Sequence, residues 1–369
     1  MKPITAIALL MAITIFPIAS SSSNEVSELA ISKDDPQIYY HGRWDDTTWW
    51  ASSGLKLHIQ NLQTLSLELG PITTTPLVSM GVSLNYGDFT TVNVSEGLNS
   101  IINLPAPLSD KEAVVRLNVE GWQNNRINLE NILLNSDAKL VPYTPSNLVF
   151  QFIGDSLSAG QFLPEGVDQA WPFLTGEHFK AEHNINAQPG AALTDIVSFG
   201  NEHGVSFQFF RTEDTGYFDT TDHNFTTPWD FQRDKPSPTH IVIHIGANDA
   251  SQNISDTEFV QVYFNFLTRL RTIYTNQPIF VFTPWGWPNA DGSISQYYQG
   301  QYQIIVDQRH EIGDDQVFLV NTTGWVTWED VFPANQHPTV EGHQKITRLF
   351  TSWLLKWGLS PKSEWATPV

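Results

Sequence analysis

The sequence predicts two units of different class. The first is an antiparallel β-sandwich, with a jelly roll as one form of it. The second is an α/β domain built on a parallel sheet with helices on both sides. Three observations carry this expectation. From about residue 36 to 140, short segments alternate apolar and polar residues with period two, the pattern of strands with one covered face. From residue 148 onward the strand-like segments become nearly continuous apolar runs, as in strands buried on both faces. Amphipathic helical segments separate those runs, and strands alternating with helices build parallel sheets.

Taken in order, residues 1–23 read as a secretory signal. Lys2 supplies a positive start, "ITAIALLMAITIF" an apolar core and "PIASSSS" small residues for cleavage. The core is shorter than the roughly 20 apolar residues a membrane span needs, and no later segment is long and apolar enough. A secreted protein without a membrane span is expected. Residues 36–140 contain the alternating segments "LKLHIQ", "LSLEL", "GVSLNYG", "AVVRLNVEG" and "INLENILL". The tryptophans of "GRWDDTTWW" read as core and domain-interface packing. Residues 141–147, with the two prolines of "LVPYTPSN", read as a linker. Residues 148–369 carry "LVFQFIG", "HIVIHIG", "IFVFTP" and "VFLVN" as strands. "SDTEFVQVYFNFLTRLRTIY" opens with a capping box, Ser255 and Glu258, and sets Phe259, Val262, Tyr263, Phe266, Leu267 and Leu270 on one face. A last helix over about residues 341–357 buries Ile346, Leu349, Phe350, Trp353 and Leu354 and stops at Gly358.

Composition narrows the function classes. With 41% hydrophobic and 16% charged residues, the 369-residue chain can fill real cores. A formal net charge of −20 repels phosphate backbones and anionic membranes, so no nucleic-acid partner is expected, whereas neutral polysaccharides meet no such penalty. The absence of cysteine excludes disulfides, thiol nucleophiles and cysteine metal sites. Sequons occur at Asn93, Asn224, Asn253 and Asn321, where glycosylation is expected if the host is eukaryotic. A monomer is expected.

In parallel α/β sheets, ligands bind at the carboxyl ends of the strands. Four candidates fall there. "LVFQFI" ends at Gly154-Asp155-Ser156, "NINAQPGAA" sets Gly190 in a turn, "HIVIHI" ends at Gly246-Ala247-Asn248-Asp249, and "NQHPTVEGH" places His337 just before the last helix. Ester cleavage needs these residue types. A serine hydroxyl attacks a carbonyl only when a base takes its proton, and histidine titrates near neutrality. An oxyanion needs preorganised donors, which the backbone N–H groups of Ser156 and Gly190 and the Asn248 amide can supply. Singly, each residue is as well read as a turn or cap residue; in combination they point to catalysis. Asp155 and Asp249 read as structural, holding turn backbones. His240 and His244 lack an evident third ligand, so they read as core or rim residues, with no metal and no cofactor expected. Trp285 and Trp287 follow a strand at the binding rim. At least one of the two is a candidate to contact sugar, against packing as the alternative. The residues of "GQFLPEGVDQAWP" read as a loop over the cleft.

These four blocks, in this order, resemble the SGNH (GDSL-type) hydrolases: "GDSLSAG", Gly190, "GANDA" and "HP". The resemblance implies a flavodoxin-like α/β/α domain, with Ser156 as nucleophile, His337 as base, and Ser156, Gly190 and Asn248 as oxyanion donors. "YYHGRWDDTTWWASSG" followed by strands is similar to the jelly-roll domain of carbohydrate esterase family 2. That likeness implies removal of O-acetyl groups from acetylated polysaccharides or oligosaccharides, such as xylan or glucomannan. The family pattern puts an aspartate three residues before the histidine, where this chain has Ala334. In serine proteases, losing the triad aspartate costs ~10⁴-fold. A backbone carbonyl near residues 331–335 is expected to accept the ring N–H instead, giving the Ser–His dyad that some family 2 esterases use. Alternatives are a GDSL-type esterase or lipase acting on lipid or other esters, or an inactive carbohydrate-binding homologue.

Overall fold

The computed structural model describes residues 28–214 and 227–369. The expected signal segment and the sequon at Asn224 lie outside these residues. Among the described residues, ten strands form the first unit. They are β1 (Glu28–Ser32), β2 (Tyr39–Trp44), β3 (Thr48–Gln60), β4 (Thr64–Leu69), β5 (Val78–Leu84), β6 (Thr90–Val94), β7 (Gly97–Asn103), β8 (Glu112–Val119), β9 (Leu129–Asn135) and β10 (Lys139–Val141). One antiparallel sheet runs β1-β9-β4-β7. The other runs β10-β3-β8-β5-β6, with β2 also paired to β3. This is the expected jelly-roll-like sandwich.

Leu55, Leu57 and Ile59 of β3, Leu65, Leu67 and Leu69 of β4, and Val115 and Leu117 of β8 meet in one core. Two expected boundaries move. β1 lies before residue 36 yet pairs with β9 along its whole length, and Val141, placed at the linker's start, continues the pairing of Leu140 with Ile59 by pairing with His58.

The second unit has a parallel sheet of β11 (Val149–Asp155), β12 (Glu182–Gln188), β13 (His240–His244), β14 (Ile279–Phe282) and a last strand, Val317–Val320, after a two-strand ribbon. The ribbon is β15 (Trp287–Pro288) and β16 (Ile294–Ser295), which makes the last strand β17. Its order, β12-β11-β13-β14-β17, is the flavodoxin-like 2-1-3-4-5 order, with the switch point between β11 and β13. Alternate residues of each apolar strand feed two separate cores, which is why the runs carry no polar face. Phe150, Phe152, Phe280 and Phe282 pack towards α2 (Trp171–Phe179) and α7 (Val340–Trp357). Ile153, Ile241, Ile243 and Val281 pack towards the short α3 (Val205–Gln208), α5 (Asp256–Arg271) and α6 (Gln301–Glu311).

Of the expected capping box, the serine half forms, Ser255 Oγ accepting from Glu258 N, and Gly358 ends α7 in the left-handed region as expected. Val262, Leu349 and Trp353 sit half-buried at the edges of their stripes. No described helix is long and apolar enough to cross a membrane.

The seam between the units explains a second set of residues. Lys56 and Arg116 alternate with core residues on β3 and β8, a pattern that predicts a solvated face. Instead both are buried, and they pair with Glu182 and Glu177 of the α/β unit. Asn118 donates to Asp168 at 2.6 Å. Trp50 donates through its backbone N to Asp214 and through Nε1 to Thr212 O. The segment expected to lie over the cleft is largely wedged in this seam: Val167 N donates to Glu120 O, and Trp171 is buried.

Candidate active site

Strand β11 delivers Ser156 to the sheet's carboxyl rim. Gly154 is required by space, because an added β-carbon would lie 2.6 Å from Ser158 Oγ and 2.8 Å from His244 O. The chain then turns into a short helix, α1 (Ser156–Ala159), whose N-cap is Asp155. Asp155 Oδ1 accepts from Leu157 N at 3.0 Å, the turn-holding role expected of it. Burial pushes its carboxyl up to about 7.

Gly190 follows β12 with φ +79°, and a β-carbon there would meet Phe199 Cβ at 2.7 Å. Ser198 Oγ donates to Gly190 O at 2.7 Å, bracing the turn. Asn248 lies in α4 (Ala247–Ser251), directly after β13. Its Nδ2 donates to Ala191 O at 3.0 Å, which spends one of two amide hydrogens and fixes where the other points. Asp249, fully buried, accepts from Leu193 N, Thr194 N and Thr194 Oγ1 at 2.7–2.9 Å, and so ties the Asn248 turn to the Gly190 turn.

His337 arrives on a loop closed by pairing of Val331 with Pro338 and by Phe332 N donating to His337 O. Its Nε2 lies 2.9 Å from Ser156 Oγ. Its Nδ1 lies 3.0 Å from Asn335 O. A carbonyl only accepts, so Nδ1 carries the hydrogen and Nε2 presents its lone pair to the serine hydroxyl. The Asn335 side chain also accepts from His337 N, fixing the loop around the ring. Ala334 is exposed. Asp330 is committed elsewhere, accepting from Lys345 Nζ and from Thr327 N and Oγ1. Burial lowers the His337 pKa below its ordinary 6.5, against the opposing pull of the Asn335 carbonyl.

Sequence reasoning missed Phe162, whose ring stands edge-on to the imidazole with centroids 4.9 Å apart. Trp287 flanks the same ring at 5.8 Å. The expectation for Trp285 is corrected. It is 1% exposed and stacks on buried His244 at 3.8 Å, so neither face is open to a sugar. His244 is thereby a core residue, held neutral by burial. Among the described residues, no group of three or more acidic or histidine side chains is placed to hold a metal.

A flavodoxin-like sheet joined to a β-sandwich, with the Ser156 hydroxyl and the His337 imidazole in hydrogen-bond contact at its rim, defines the class as a two-unit α/β protein with a serine–histidine pair. Residues 152–345 match the GDSL-like lipase/acylhydrolase family, so the chain belongs to that family and is a carboxylic ester hydrolase. Among solved structures, a family two carbohydrate esterase from Cellvibrio japonicus is 17% identical with a TM-score of 0.71, over 89% of this chain and 98% of that one. An acetyl xylan esterase from the rumen bacterium Butyrivibrio proteoclasticus is 16% identical with a TM-score of 0.71, over 90% and 99%. A salicylyl-acyltransferase from a tetracycline biosynthetic pathway is 15% identical with a TM-score of 0.65, over 90% and 98%. These likenesses extend the fold match across the sandwich. No curated protein matches the chain by sequence.

Proposed function

We propose that the protein is a secreted, monomeric esterase that removes O-acetyl groups from polysaccharides or oligosaccharides through a Ser156–His337 dyad. The observation that carries the chemistry is the hydroxyl–imidazole–carbonyl chain, with 2.9 Å and 3.0 Å links. Ser156 Oγ attacks the acetyl carbon as its proton passes to His337 Nε2. The carbonyl oxygen takes negative charge facing the N–H groups of Ser156 and Gly190 and the free amide hydrogen of Asn248. Collapse breaks the bond to the sugar oxygen, which takes the proton from Nε2. Water then attacks the acetyl-serine with His337 again as base, releasing acetate and restoring the hydroxyl. The Asn335 carbonyl holds the tautomer and favours the imidazolium formed in each half.

The carbohydrate assignment draws on the fold shared with a family two carbohydrate esterase and an acetyl xylan esterase. It also draws on the chain's net charge of −20, which favours neutral over anionic substrates. Trp287, half-buried beside His337, is the remaining aromatic candidate for contact with the glycan.

Acetate release from acetylated xylan and glucomannan fragments, set against nitrophenyl esters of acetate and of long-chain acids, tests this reading. Turnover of the acetylated glycans with short-chain preference is expected. Preference for long chains defeats the carbohydrate assignment.

The pH dependence follows from the base. Protonated His337 cannot accept from the serine, and its folded pKa lies below 6.5. The acid limb of kcat/KM is therefore expected to fall below pH 6.5, with activity lost as pH drops through it. An apparent value above that, in a pH series on an acetyl ester, contradicts the environment described for the imidazole.

A further inference from the structure

Phe162 occupies a conformation that its own chemistry disfavours. Leu163 N donates to Gly160 O at 3.1 Å, closing a turn whose third residue is Phe162 with φ +72°. Turns of that kind call for glycine or asparagine there, because a β-carbon crowds the neighbouring carbonyl. A bulky aromatic at positive φ persists only where the surroundings impose it. Burial does not compensate, since the side chain is 52% exposed.

Both ends of the segment are clamped. Gly160 caps α1 with its N–H on Ser156 O, and Val167 N donates to Glu120 O of the sandwich. The turn is thus stretched between the helix that carries the serine and the neighbouring unit, and what it holds out is a ring set at 79° to the His337 imidazole, 4.9 Å away.

We propose that Phe162 is a positioning residue that acts through His337. Its ring fixes the plane of the imidazole between the Asn335 carbonyl and the Ser156 hydroxyl and keeps water off the ring nitrogens. This rests on His337 serving as the base. The groups around the imidazole leave that task to Phe162. Ser156 and Asn335 hold its two nitrogens, and Trp287 approaches at 5.8 Å with a tilt of 51°. Among the described residues, the titratable neighbour that interacts with it electrostatically is His343 of α7, which is kept neutral by burial and accepts from Trp171 N.

The test combines an NMR titration of the His337 imidazole with kcat and KM on nitrophenyl acetate, in the wild type and in Phe162→Ala, Phe162→Tyr and Phe162→Gly. In Phe162→Ala the imidazole pKa is expected to rise towards 6.5 and the acid limb to follow. Turnover should fall about 10-fold, short of the ~10²-fold that ångström-scale misplacement costs, with KM little changed. Phe162→Tyr restores all three readouts. Phe162→Gly loses turnover in the same way while raising the thermal midpoint, because glycine accepts the positive φ without strain. An unchanged titration in Phe162→Ala overturns the proposal, whether activity is intact, KM alone rises or the midpoint drops. A wild type that hydrolyses no acetyl ester defeats the proposed function, and the titration still decides the role of Phe162.

Discussion

Ser156→Ala is expected to lower kcat on an acetyl ester by at least about 10⁴-fold, and His337→Ala by a similar factor. The double variant should be no worse than either alone. The reason is cooperative: a hydroxyl without an acceptor for its proton is barely nucleophilic, and an imidazole without the hydroxyl has nothing to activate. What survives in each variant is binding together with the donors around Gly190 and Asn248. The turns that carry the pair do not depend on these side chains. Asp155 caps α1, Asp249 ties the Asn248 turn to the Gly190 turn, and Asn335 braces the histidine loop. Circular dichroism and the thermal midpoint should therefore be unchanged. Steady-state kinetics on the three variants decide the matter. A loss under about 10-fold in Ser156→Ala removes this serine as nucleophile, since simple ground-state contacts account for changes of that size.

Lys56→Ala carries the largest expected effect on stability, about 3–5 kcal/mol. Lys56 and Glu182 are each under 5% exposed in the seam. Burial alone would raise the Glu182 carboxyl. The Lys56 ammonium and the N–H of Ser146 outweigh it and hold the carboxyl below its usual 4.5. Tyr143 Oη donates to the same carboxylate at 3.1 Å. Removing the ammonium leaves a buried charge with only neutral donors. Because the folded value is depressed, this contribution is present above pH 4.5 and lost as pH falls through the folded value. Urea unfolding near neutrality measures it directly. Replacing both partners by apolar residues of similar volume should cost much less than the single change. A single-variant loss below about 1 kcal/mol, the range of exposed pairs, means that water reaches the seam.

The α/β unit was legible because strands buried on both faces leave an unbroken apolar signature. The ends of β11 and β13 could be located to within a few residues, so Ser156 and Asn248 were placed at the rim, whereas β12, the polar EHNINAQ that leads to Gly190, carries no such signature. The sandwich was less so. β1, β2, β6 and β7 are rich in polar residues, and β1 and β7 pair with β9 and β4 rather than with the strand next in sequence. Period two also misled in one respect. It marks Lys56, Arg116 and Asn118 as facing away from the core, but it is silent on whether water or another unit lies there. Trp285 and Trp287 differ by two residues and share a local sequence, yet one stacks on His244 in the core and the other reaches the imidazole. Phe162 gave no signal at all, since nothing in "GQFLP" requires an aromatic at positive φ.

The oxygen facing His337 Nδ1 belongs to the peptide unit of Asn335. Every amino acid supplies such an oxygen, so no codon change at position 335 deletes it; only a change in the path of the loop can. Inheritance therefore guards a contour rather than a letter. A survey of genomes that demands an acidic residue beside the histidine would discard this chain, and others built like it, as dead.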